Sequence, residues 1–70
     1  MEGANLKNTI KVERAKKNIT QAELALQVGV SRKTINTIET GRFVPTTVTA
    51  LRIARALGVS VEDIFSLEED

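Results

Sequence analysis

Residues 21–40 read QAELALQVGVSRKTINTIET, and this stretch decides the fold. Leu24, Val28, Val30, Ile35 and Ile38 take its fourth, eighth, tenth, fifteenth and eighteenth places. Ala25 takes the fifth and Gly29 the ninth. Each position answers a physical demand. Ala25 lets two helices approach closely, and Gly29 permits the positive φ of a tight turn. Leu24 and Val28 give one helix a narrow apolar face. Val30 plugs the turn into the core, and Ile35 and Ile38 anchor the helix that follows. The ends are marked as well. Thr20 and Glu23 form a capping box ahead of a helix from Gln21, and Ser31 caps a helix from Arg32 to Thr40.

That later helix has two chemically distinct halves. With Arg32 set at zero and ~100° per residue, Asn36, Thr40, Lys33 and Thr37 fall at about 40°, 80°, 100° and 140°. Thr34, Ile38 and Ile35 lie opposite, at roughly 200° to 300°. One side is therefore apolar, and the other is Arg, Lys, Asn and Thr, with Glu39 at the boundary. Such a face suits the major groove. Arg and Lys donate to guanine, Asn pairs with adenine, and Thr offers a methyl to thymine. A polar helix face is also the ordinary solvated face of any surface helix. The spacing to the preceding helix breaks the tie, because it is that of a helix-turn-helix motif over residues 21–40. Arg32, Lys33, Asn36 and Thr37 are the candidate base-reading residues. Asn36 and Thr37 are equally compatible with backbone contacts.

Outward from the motif, Arg42 to Pro45 read as a loop, and Arg42 is placed to neutralise a phosphate. Phe43 and Val44 are candidates to pack on the next helix. Thr46 caps a fourth helix from Thr47 to Leu57, ended by Gly58, and its hydroxyl has phosphate contact as a second possible role. Ser60 and Asp63 cap a fifth helix, Val61 to Phe65. Upstream, a first helix is expected from Lys7 to Lys17, stopped at Asn18. Its inward face is ambiguous, since Ile10 and Arg14 share one side and Val12 and Ala15 another. Short strands are possible at Asn5 to Lys7 and Phe65 to Leu67. The expected fold class is all-α, with five helices and possible short terminal strands.

The chain has 70 residues, 41% hydrophobic and 27% charged, enough for one domain. Neither Cys nor His is present. Disulfides, zinc sites built from Cys and His, and catalysis through a His-activated nucleophile are excluded. Only a carboxylate site stays formally open. With no Gly-rich phosphate loop and no clustered acid pair, an enzyme is not expected, and no metal, cofactor or small-molecule ligand is called for. No apolar run is long enough to span a bilayer, and the N-terminal residues lack the core of a signal peptide, so a cytoplasmic location is expected. Two Phe and no Trp or Tyr argue against the stacking platforms that bind RNA.

The net charge of +1 hides an asymmetry. Residues 1–60 carry +6, with all the Lys and Arg, and residues 61–70 carry −5. A basic body suits a polyanion, and an acidic end is best held away from it. A solvated surface with an acidic terminus is the plainer alternative.

The motifs T-Q-A-E-L-A at Thr20 to Ala25, G-V-S-R-K-T-I at Gly29 to Ile35, I-E-T-G-R at Ile38 to Arg42, Pro45, and L-R-I-A-R-A-L-G-V at Leu51 to Val59 carry a resemblance. The chain resembles the lambda-repressor/Cro-like helix-turn-helix family, the Xre family, over about residues 7–65, in its compact single-domain form. The resemblance implies five helices and a sequence-specific regulator of transcription, most simply a repressor, binding double-stranded DNA as a homodimer. It implies that Gln21 contacts phosphate and that Arg14 and Glu39 form a structural ion pair. Ser31 either caps its helix or also touches phosphate. Glu13 departs from the apolar residue usual before that Arg, and Leu26 from the polar residue usual at its place. The expected dimer patch is Val59, Val61, Ile64, Phe65 and Leu67, although Ile64 and Phe65 serve equally well to complete the monomer core. Its burial would set two recognition helices ~34 Å apart, one turn of DNA. The competing reading is a protein-interaction module such as an antitoxin.

Overall fold

The computed structural model describes residues 6–67. The elements in order are β1 (Leu6–Asn8), α1 (Ile10–Lys17), α2 (Gln21–Val28), α3 (Arg32–Glu39), α4 (Thr47–Leu57), α5 (Val61–Ile64) and β2 (Phe65–Leu67). The strands pair antiparallel, with Leu6 opposite Leu67 and Asn8 opposite Phe65. Five helices thus enclose the core, and a two-stranded ribbon joins the ends of the described chain.

The local sequence sets most boundaries. The Glu23 N–H donates to Thr20 Oγ1 at 3.0 Å, and the Thr20 N–H donates to Glu23 Oε1 at 2.8 Å, so the capping box forms. Thr20→Ala is expected to lower stability by about 0.5–2 kcal/mol, read as a fall in thermal midpoint. Ser31, Thr46 and Ser60 cap α3, α4 and α5 in the same way, each accepting from the backbone N–H three residues on. Gly29 turns the chain between α2 and α3 at φ 86°. A Cβ added there would meet no atom nearer than 3.8 Å, so backbone conformation alone calls for glycine.

Four boundaries differ from expectation. The first helix begins at Ile10 rather than Lys7, because Leu6–Asn8 take their backbone partners from β2. The strand accordingly falls later than Asn5 to Lys7, and Asn5 lies outside the described residues. Asn8 then starts the helix from outside. Its Oδ1 accepts from the Ile10 N–H at 3.1 Å, and its Nδ2 donates to the Ile38 carbonyl at 2.9 Å. Phe65 leaves α5 for β2, with extended φ and ψ of −122° and 137°. Thr40 ends α3 as its C-cap rather than as a helical residue.

The core holds Ile10, Leu24, Ala25, Val28, Ile35, Ile38, Ile53, Ala54, Leu57, Ile64 and Phe65. The apolar positions that define the motif, Leu24, Ala25, Val28, Ile35 and Ile38, all lie in this core, with Val30 half-buried against it. The inward face of α1 is the Ile10 and Arg14 side, while Val12 and Ala15 are exposed. Glu13 is half-buried and lies 3.4 Å from Lys16 Nζ. Phe43 and Val44 are not buried on α4; they are 50% and 62% exposed. Ile64 and Phe65 complete the monomer core, which removes their area from any dimer patch. Among the described residues, no helix is long and apolar enough to cross a membrane.

Candidate nucleic-acid interface

The buried Ile35 and Ile38 fix the rotation of α3, and that rotation turns Arg32, Lys33 and Asn36 outward. These three line one open depression of about 270 Å³. Thr37 is half-buried and does not line it, and its Oγ1 donates to the Thr34 carbonyl at 2.9 Å. Its methyl and the two acceptor lone pairs of its oxygen are what it has left to offer. Among the described residues, Arg32, Lys33 and Arg42 form no ion pair. Their positive charge is uncompensated and solvated, as a phosphate-facing surface requires.

The one acid on α3 is neutralised from behind. Glu39 Oε2 accepts from Arg14 Nε at 2.6 Å, and Glu39 Oε1 accepts from Arg14 Nη2 at 3.2 Å. Arg14 also donates from Nη1 to the Ile19 carbonyl at 3.0 Å. The side chains are 14% and 5% exposed, so this bidentate pair sits largely out of water. It clamps α1 to the end of α3 and cancels a charge that would otherwise oppose a polyanion.

Gln21 opens α2 beside this pair. Its Nε2 donates to Glu39 Oε1 at 3.0 Å and to Asn36 Oδ1 at 3.2 Å. Gln21 is therefore in the same cluster as the α3 face. Ser31 and Thr46 have hydroxyls occupied in helix caps, at 3.1 Å from the Thr34 and Thr49 nitrogens respectively. Sequence reasoning placed Gln21 and Asn36 in one surface but missed their contact. No periodicity reports a bond between side chains on two different helices.

A helix-turn-helix family model matches residues 10–64. The chain belongs to this family, in its lambda-repressor/Cro-like branch. An uncharacterized HTH-type transcriptional regulator of Methanocaldococcus jannaschii is 48% identical over 65 residues, spanning 93% of this chain and 98% of its own. The DNA-binding domain of the P22 c2 repressor superimposes with a TM-score of 0.73 at 34% identity, over 76% of this chain and 70% of that one. SinR, a master regulator for biofilm formation solved in complex with DNA, gives 0.70 at 30% identity, over 76% and 86% of the two chains. This helix-turn-helix domain thus shares its fold with those two proteins.

The surface given to dimerisation is reshaped by the structure. Val59 and Val61 are half-buried against the core, and Leu67 is 62% exposed. Further apolar area lies on the outer side of α4, where Val48 and Leu51 are 57% and 54% exposed. The sequence carried this signal: at helical spacing, Val48, Leu51, Arg52 and Arg55 fall on the side opposite Ile53 and Leu57. Leu51 and Val61 share a groove of about 200 Å³ with Leu6, Pro45 and Ala50. Leu26 projects alone from α2, 84% exposed. The acidic residues Glu68, Glu69 and Asp70 lie outside the described residues.

Proposed function

We propose that this DNA-binding regulator acts as a homodimeric repressor that reads a pseudo-palindromic operator with paired α3 helices. The observation that carries the reading is the convergence of Arg32, Lys33 and Asn36 on one open, acid-free depression at the start of α3. Arg32 and Lys33 donate to guanine, Asn36 contacts adenine, and the Thr37 methyl meets thymine. Arg42 neutralises a phosphate, and Ser31, Thr46 and the backbone of Gln21 approach the sugar-phosphate chain. Repression in this reading follows from occupancy of the promoter. The chain is here taken as one helix-turn-helix domain with its core over residues 7–65. The dimer forms through Val61, Leu67 and the outer face of α4 at Val48 and Leu51, where Leu51 shares one groove with Val61 and another with Val48.

Selection of random duplexes by the purified protein at two salt concentrations tests this. A pseudo-palindrome with half-sites about one turn apart supports both operator reading and the dimer. With 3–5 phosphates per protomer, log affinity should fall against log salt with a slope of roughly −5 to −9. Leu51→Lys should then yield a monomer by sedimentation and enrich a single half-site. Absence of enrichment with the wild-type chain overturns the DNA reading and turns attention to a protein partner.

A further inference from the structure

We infer that the basic groove along α4, carrying Arg52 and Arg55, is the seat of the acidic run Glu68, Glu69 and Asp70 from a second copy of this chain. The inference rests on the dimer proposed above and names what fixes its arrangement. Leu51 forms a ridge between two unlike grooves. With Leu51 at zero, Thr47 and Ala50 fall at about −40° and −100°, and Arg55 and Arg52 at about 40° and 100°. On the first side lies the apolar groove that Leu51 shares with Leu6, Pro45, Val61 and Phe65. On the second lies a groove of about 400 Å³ lined by Val48, Leu51, Arg52 and Arg55. Beyond the two arginines it continues to Gln27 and Gly29 at the end of α2. Among the described residues, no acid lines either part of this second groove, and Arg52 and Arg55 form no ion pair. Two exposed guanidiniums therefore face one open space with no carboxylate to meet them.

The chain carries its own complement. Glu68, Glu69 and Asp70 follow β2 directly. β2 ends at Leu67, opposite Leu6, and Leu6 lines the apolar side of the Leu51 ridge. Three extended residues reach about 10 Å at most. The acids are thus attached on the apolar side of the ridge, while the arginines lie across it. A two-fold axis running along α4 at the ridge exchanges the two sides. It sets the basic groove of each copy against the β2 end of the other, so one interface makes the contact twice. The same rotation sets the Val48 side of one copy against the Val61 side of the other. A two-fold axis running across α4 sets the two arginine pairs against each other, a like-charge juxtaposition that disfavours that pairing. Guanidinium forks match carboxylates in geometry as well as charge, which suits Arg52 and Arg55 to this occupant.

The test is the dimer dissociation constant of the full chain, measured by sedimentation at several salt concentrations. The wild-type chain is compared with two charge-reversed forms. One carries Arg52→Glu and Arg55→Glu, and the other carries Glu68→Lys, Glu69→Lys and Asp70→Lys. Thermal denaturation checks that each form still folds. The wild-type dimer should weaken as salt rises, because screening acts on an ionic seat and spares apolar burial. Each reversed form should dimerise about tenfold more weakly at low salt, since every attraction in both seats becomes a repulsion. A 1:1 mixture of the two forms should recover tight association. Only there do reversed acids meet reversed arginines in one seat and native acids meet native arginines in the other. No recovery in the mixture overturns the inference. An unchanged constant in both reversed forms, with Leu51→Lys monomeric, also overturns it and leaves the apolar dimer standing. Loss of affinity for all duplexes by the Arg52 and Arg55 form, with its dimer intact, overturns it by giving the groove to phosphate. A monomeric wild-type chain overturns the dimer reading itself, and this inference with it.

Discussion

Glu39→Ala is expected to destabilise the domain by about 3–5 kcal/mol, the loss typical when one partner of a buried ion pair is removed. Glu39 accepts three side-chain hydrogen bonds, two from Arg14 and one from Gln21. Without it, an arginine only 14% exposed keeps a charge that water cannot reach freely. Small domains shift by about 4–8 °C per kcal/mol, so the thermal midpoint should fall by more than ~12 °C. The mechanism has its own check. Replacing both partners by apolar residues, Arg14→Met with Glu39→Leu, removes the stranded charge as well as the pair. That double variant should be more stable than Glu39→Ala in the same denaturation experiment. If it is as unstable as the single variant, desolvation of Arg14 is not the cause.

Arg32→Ala is expected to reduce affinity for the selected operator by roughly 5- to 150-fold, equivalent to about 1–3 kcal/mol for a base contact. The loss should fall on one base pair and relax its preference. Arg42→Ala should behave differently. It follows α3 in a loop and carries an exposed charge. Its removal should weaken all duplexes alike and reduce the salt slope by about 1. Fluorescence anisotropy on matched and mismatched duplexes at several salt concentrations separates the two. Uniform weakening by Arg32→Ala would move it from base reading to the backbone.

Legibility in the sequence followed the range of the interactions. The α2–turn–α3 unit was readable because each of its signals is local: a cap three residues from its partner, a glycine at positive φ, apolar residues on one face. The start of α1 was not. Asn8 read as helix, and Lys7 as either helix start or strand end, but both lie in a strand whose partner is Phe65–Leu67, more than fifty residues away. Asn8 also accepts from the first N–H of α1 and donates to a carbonyl near the end of α3, roles that no local pattern reports. The inward side of α1 remained ambiguous because its only fully buried residue is Ile10. Ile64 and Phe65 were open between core and interface, since an apolar residue near a chain end serves either, and burial in this monomer assigned them to the core.

The recognition surface divides the same way. Sequence alone determined which residues face outward from α3, because two buried isoleucines fix a helix's rotation. It determined the basic character of that face and the family to which the chain belongs. Only the tertiary structure decided how the amides are oriented. Arg14 from α1, Gln21 from α2 and Glu39 from α3 meet at one point, and the carboxylate there dictates which atoms Gln21 and Asn36 turn outward. Helical periodicity orders side chains along one helix, whereas hydrogen-bond polarity is set between helices, where only the folded chain brings donor and acceptor together.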